Sequence, residues 1–308
     1  MSTRVFMSSG DMIADRRFDF ARDLHLRGDL VAAADLFAQA TELAPGFAAA
    51  WFALAEIREQ LGDLEAAVAA FRNARMTDPD DHNGAGLRLM RLGAAELAGM
   101  PPTYVSALFD QYAPKFEASL VDELGYRGPD LLFKAVLAVR AATGKPAFFR
   151  RAVDLGCGTG LAARAFAAQT DEIIGIDLSA RMIERARATG LYAELEVAEI
   201  LAGLRNREAA SADLILAADV MVYVHDMAPL LREVARVLMP GGLVAFTAET
   251  HTGDGVVLGA GLRYAHGAAA VRAAIEAAGL ALDQLEAASA RTESGVPAPG
   301  LVAVATRD

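Results

Sequence analysis

Cysteine is nearly absent from this chain of 308 residues, where Cys157 stands alone. A disulfide framework within one chain is excluded, and so is a multi-cysteine metal site. Long apolar runs are missing too. No stretch of about 18 uninterrupted apolar residues occurs, so no membrane span is expected. Met1 to Asp11 lack the long apolar core of a secretion signal, which makes the cytoplasm the expected compartment. Positive charge is also short: 29 Lys and Arg face 40 Asp and Glu, a formal net charge of −11. Such a chain repels phosphate backbones, and no nucleic-acid partner is expected. Arg150-Arg151 and Arg205-Asn206-Arg207 read as solvated loop charges. No carboxylates and histidines cluster at ligand spacing, so no metal is expected.

Apolar material is plentiful, at 54% of the chain against 22% charged. That suffices for a sizeable core, and the length suggests roughly two domains. The first, over about residues 12 to 99, is helical and repetitive. Gly28-Asp29-Leu30 returns as Gly62-Asp63-Leu64, and Ala33, Phe37, Ala40 and Pro45 return as Ala67, Phe71, Ala74 and Pro79, each 34 residues later. The period and its small, aromatic and proline positions resemble the tetratricopeptide repeat. Asn83 to Ala98 read as a further amphipathic helix that caps the array. The functional reading is a docking groove for a protein or substrate; the plainer one is a stabilising or dimerising helical add-on. Met100-Pro101-Pro102-Thr103 breaks the pattern.

From residue 151 the periodicity changes. Arg151 to Leu155 form a short apolar strand, Gly156-Cys157-Gly158-Thr159-Gly160 a glycine-rich turn, and Leu161 to Gln169 a helix, which together make the first half of a βαβ unit. The next strand, Ile173 to Ile176, ends at Asp177. The glycines allow a tight turn and let a ligand touch backbone, while a terminal acid can accept bonds from ribose hydroxyls. Both features suit a dinucleotide as well as S-adenosylmethionine, and a nicotinamide oxidoreductase is the competing reading. Two details favour the second ligand. Leu161 stands where the dinucleotide fingerprint wants a small residue, and Asp154 precedes the first glycine by two, where an acid can face an amino or sulfonium charge.

Four segments in order carry a family resemblance. Val153-Asp154-Leu155-Gly156-Cys157-Gly158-Thr159-Gly160 resembles motif I of class I S-adenosylmethionine-dependent methyltransferases. Ile174 to Ser179 resembles the acidic motif that follows, Asp213 to Val220 the fourth-strand motif, and Leu238 to Phe246 the motif leading into strand five. The whole chain resembles bacterial methyltransferases with N-terminal tetratricopeptide repeats, and Tyr104 to Phe116 looks like their linker. The resemblance implies an α/β fold: a Rossmann-like seven-stranded domain over about residues 104 to 308, behind the all-α repeat domain. Strands are expected near 151–155, 172–177, 193–197, 213–218, 242–248, 281–291 and 300–307, the last antiparallel, with a loop from Arg291 to Gly300. The implied cofactor is S-adenosylmethionine, with S-adenosylhomocysteine as product.

The site residues follow from the same resemblance. Gly156, Gly158 and Gly160 would bracket the methionine part, with Asp154 and Cys157 beside them, and Asp177 would hold the ribose. Leu178 and Met182 would flank the adenine, with Glu199 and Ile200 near its amino group. Ala218 and Asp219 would lie beside the methyl group. Tyr112 would reach the cofactor from a lid helix, sharing a face with Phe116, with Pro114 between them allowing only a helix start or a kink. Cys157 reads as structural, since no base for it is evident. A general base is needed only for a protonated acceptor. The candidates are Tyr223, His225 and His251, with Tyr264 and His266 behind them. The acceptor is a small molecule or a protein docked on the repeats, with a non-catalytic cofactor-binding scaffold as the remaining reading. Gly125 to Pro129 and Gly253 to Arg263 read as pocket-lining loops.

Overall fold

The computed structural model describes residues 8–113, 116, 125–293 and 295–308. The expectations for Pro114 and for residues 1–7 lie outside them. The chain divides into two compact units, Met1–Tyr104 and Val105–Asp308.

The first unit contains α1 (Met12–Leu26), α2 (Leu30–Leu43), α3 (Ala48–Gln60), α4 (Leu64–Thr77) and α5 (Ala85–Arg91). The repeated Gly-Asp pair explains the turns. Gly28 and Gly62 sit at φ +83° and +80°, where a side chain would be strained. The following aspartates cap the next helix: Asp29 accepts from the Ala32 amide and Asp63 from that of Ala66. Buried Ala33, Ala40, Ala67 and Ala74 let helices approach closely. The Phe18 ring packs against Phe37 at 5.4 Å and Phe47 at 4.8 Å, and Phe52 against Phe71 at 5.5 Å. The last helix is shorter than the expected 83–98. Gly93 adopts φ +70°, and the Ala94 amide bonds back to the Leu89 carbonyl, closing α5 after two turns.

The boundary falls within α6 (Pro102–Tyr112), and the second unit continues with α7 (Gly128–Ala142). Then come β1 (Phe149–Leu155), α8 (Leu161–Phe166), β2 (Thr170–Asp177), α9 (Ala180–Ala188), β3 (Glu194–Val197), α10 (Ile200–Arg205), β4 (Ala212–Ala217), α11 (Met227–Val237) and β5 (Leu238–His251). It closes with β6 (Val256–Leu258), β7 (Tyr264–Gly267), α12 (Ala268–Ala277), β8 (Leu280–Ala287), β9 (Thr292–Glu293), β10 (Val296–Pro297) and β11 (Gly300–Arg307). The main sheet runs β3-β2-β1-β4-β5-β11-β8, parallel from β3 to β5, with β11 antiparallel to both neighbours. Parallel strands buried on both faces need continuous apolar runs, which Leu214–Ala217 of β4 and Leu243–Phe246 of β5 supply. Leu132 and Val136 of α7 and Phe166 of α8 cover one face; Leu230, Leu231 and Val234 of α11 and Ile275 of α12 cover the other.

Three expectations are corrected. The helix after the glycine turn leaves α geometry at Phe166 and continues as a 3-10 turn to Gln169. The Gly253–Arg263 loop holds β6, which pairs with β7, and β7 adds to β5. The stretch at 281–291 ends as a strand at Ala287, and the expected loop before β11 contains the β9–β10 pair.

Candidate functional site

β1, β2 and β4 end side by side, and each delivers an acid there. From β1 the chain turns through Gly156, Gly158 and Gly160, at φ +61°, +54° and +95°. At Gly156 a Cβ would stand 2.5 Å from the Val220 side chain, so both sterics and dihedral demand glycine. Asp177, 7% exposed, ties the turn down from β2: one carboxylate oxygen accepts from the Gly158 amide and the other from the Ser179 amide, both at 2.8 Å. Burial still pushes its carboxyl above the usual range, against these bonds.

Asp154 lies deeper, at 1% exposure, and accepts a hydrogen bond from the Tyr192 hydroxyl at 2.7 Å. Burial pushes it up to about 7, with the Tyr192 bond opposing the rise. Cys157 is buried against Ile183 and Ala186 of α9, and burial raises its thiol, keeping it protonated and unreactive. The Thr159 hydroxyl is buried without a partner among the described residues.

The end of β4 forms a second cluster. Asp219 takes φ +59°, a left-handed conformation uncommon outside glycine, and its amide donates to Thr247 Oγ1. Its carboxylate receives Arg263 at 2.6 Å. The same guanidinium donates to Glu249 at 2.7 Å and to the Tyr223 hydroxyl at 2.9 Å, and covers the Tyr223 ring. Burial disfavours its charge, but Tyr223, Asp219 and Glu249 outweigh that and hold it above the ordinary arginine value. Arg291 donates to Glu249 from the other side. Phe109 of α6 meets the Tyr223 ring edge-on at 5.3 Å and Phe116 at 6.1 Å, and Phe116 lies over Gly158.

The remaining expected residues divide. Ala218 and Leu178 are half-buried beside this end, and Met182 is fully buried, its amide capped by Ser179. Glu199 caps α10 by accepting from the Ala202 amide, while half-buried Ile200 packs on the core. Tyr112 is 51% exposed, whereas Phe116 stands over the glycine turn and Phe109 packs against Phe116. His225 packs 5.4 Å from the buried Tyr264 ring. His251 engages both ring nitrogens in the turn after β5, Nδ1 with the Gly253 amide and Nε2 with the Gly255 carbonyl. Burial lowers His266, which bonds the Met221 carbonyl. Among the described residues no group of three or more His, Cys, Asp or Glu is placed to hold a metal, and no helix is long and apolar enough to cross a membrane.

Sequence reasoning missed Tyr192, Arg263, Arg291 and Ser179. Ser179 closes the acidic motif and Arg263 ends a loop expected to line a pocket, but neither signal gave them a role, and Tyr192 and Arg291 sit in no recognisable motif. The one local signal for Tyr192 is Gly175, a glycine within a strand that marks close approach by another group.

Residues 153–246 match a family model described as "Methyltransferase domain", and residues 24–89 one described as "Tetratricopeptide repeat". The chain is 34% identical over 101 residues to a ubiquinone biosynthesis O-methyltransferase from Alkalilimnicola ehrlichii, covering 32% of this chain and 41% of that protein. It is 30% identical over 154 residues to a malonyl-[acyl-carrier protein] O-methyltransferase from Enterobacter lignolyticus, covering 48% of this chain and 55% of that protein. The chain thus spans about half the length of the curated relatives it matches. Among solved structures, the [4+2]-cyclase SpnF aligns with TM-score 0.53 and 18% identity over 69% of this chain and 99% of that one, a likeness of fold alone.

Proposed function

We propose that this chain, which carries a class I methyltransferase domain behind tetratricopeptide repeats, transfers a methyl group from S-adenosylmethionine to a small-molecule acceptor. The observation that carries this reading is the Asp177 carboxylate clamped to the Gly158 amide at the carboxyl ends of β1 and β2, where ligands of such sheets bind. The residues fit the cofactor chemically. Asp154 offers a buried carboxyl to a cationic methionine end, Asp177 offers acceptors to ribose hydroxyls, and the partnerless Thr159 hydroxyl offers one more polar contact.

The cofactor supplies an electrophilic methyl group on a sulfonium. The protein's part is to orient it, exclude water and seat the acceptor. Tyr223 is the strongest candidate to meet the acceptor, because Arg263 fixes its hydroxyl and Phe109 its ring. His225 stands next. His251 is weaker, since the turn occupies both its nitrogens. The Phe116 ring over Gly158, with Phe109 and Tyr223 packed in line beside it, suits an apolar or planar acceptor, and both named relatives are O-methyltransferases. A protein acceptor docked on the repeats is the second reading, favoured by the match over residues 24–89.

The test is labelled-methyl transfer from S-adenosylmethionine by the full chain into extract of cells lacking it. Label in a small-molecule product supports the first reading, and label in protein the second. Label in neither, with the cofactor bound, leaves a binding scaffold.

A further inference from the structure

Tyr192 follows α9 and has no role in the mechanism above. Its ring fills a slot that two glycines leave open: a Cβ on Gly175, in mid-β2, would stand 2.8 Å from it, and one on Gly160 would stand 3.2 Å away. The ring is therefore wedged between the glycine turn and the sheet, and its hydroxyl reaches Asp154 Oδ2 at 2.7 Å. The other groups facing Asp154 are the Cys157 thiol in the turn, Asp177 from β2, Tyr126 from the segment before α7, and the backbone of Ala163 in α8. None of these carries positive charge. A buried carboxylate in that company needs every donor it has, and it favours the arrival of a cation.

We propose that Tyr192 is a positioning residue whose hydroxyl donates to Asp154 and holds its carboxyl group aimed at the cationic methionine end of the cofactor. The inference rests on the S-adenosylmethionine reading. The wedge geometry argues for it. Gly160 belongs to the cofactor turn itself, so one aromatic ring sets both the turn's position and the acid's orientation. Burial already pushes Asp154 up to about 7, and the Tyr192 bond works against that rise. Removing the hydroxyl moves the carboxyl further up and leaves it neutral over more of the working range.

The experiment is calorimetric titration of the full chain with S-adenosylmethionine, comparing wild type, Tyr192→Phe, Asp154→Asn and the double variant between about pH 6 and 9. Tyr192→Phe keeps the ring and its packing. It is expected to weaken binding roughly tenfold at about pH 7, with the loss shrinking toward about pH 9 as the carboxyl ionises. In the Asp154→Asn background the same change is expected to alter affinity by less than about twofold. S-adenosylhomocysteine, titrated in parallel, identifies the cation. An equal loss for both ligands points to the shared ammonium and a loss confined to S-adenosylmethionine to the sulfonium, and either supports the proposal. Unchanged affinity, a loss independent of pH, or a loss of the same size without the Asp154 carboxylate overturns it. A folded wild type that binds neither ligand overturns the cofactor reading itself, and this inference with it.

Discussion

Arg263 donates to Asp219 and Tyr223 from the two ends of one guanidinium, at 2.6 and 2.9 Å, while its Nε reaches Glu249. One side chain, contributed by the segment before β7, therefore holds the end of β4, the end of β5 and a candidate acceptor-facing phenol. Arg263→Met leaves the Asp219 carboxylate, about one-fifth exposed, without its guanidinium and leaves Glu249 with Arg291 alone. The expected cost is about 3 kcal/mol, read by chemical denaturation. Arg263→Lys is expected to recover only part of it, because an ammonium cannot bridge three partners in one plane.

Asp154 couples stability to pH. Its carboxyl is raised in the folded state to about 7 from an ordinary value near 4, so the folded protein holds this proton more tightly than the unfolded chain. Its stabilising share is complete below about pH 4 and is lost as pH rises through about 7. Asp154→Asn is accordingly expected to raise the melting temperature at about pH 8 and to change it little at about pH 4. A scan of unfolding temperature against pH, without cofactor, checks both sign and window.

Gly156→Ala places a side chain at φ +61° and a Cβ 2.5 Å from Val220. The expected loss is about 1–3 kcal/mol of stability, accompanied by weaker cofactor binding because the turn itself must shift. Thermal unfolding and cofactor titration of the same sample separate the two effects.

In the repeat unit, Phe37 is 1% exposed and meets Phe18, so Phe37→Ala is expected to cost about 3–5 kcal/mol. Asp29→Ala removes only the cap on Ala32 and is expected to cost about 1 kcal/mol. Denaturant unfolding distinguishes the pair by size.

What was legible in the sequence was local. The Gly28-Asp29 and Gly62-Asp63 pairs encode a left-handed turn followed by an N-cap, so their period exposed the helices. The glycine turn and Asp177 lie within one βαβ unit, whose spacing fixes their proximity. Helix ends were harder, because Gly93 stops α5 through a backbone bond that composition does not announce. The illegible part was assembled from distant segments. Tyr192 reaches Asp154 across 38 positions, and Arg263 reaches Tyr223 across 40. Neither contact has a period or a motif. His251 carries a complementary lesson: a histidine after a strand looks like a base in sequence, yet here the turn engages its ring.

The central claim is that the turn at Gly156 to Gly160 and the Asp177 carboxylate together grip S-adenosylmethionine. Calorimetric titration of the full chain and of Asp177→Ala tests it most directly. The account predicts saturable binding by the wild type and a loss of at least about 100-fold in the variant, with the fold intact by circular dichroism. A folded wild type that does not bind, or an Asp177→Ala protein that binds at full strength, would contradict it.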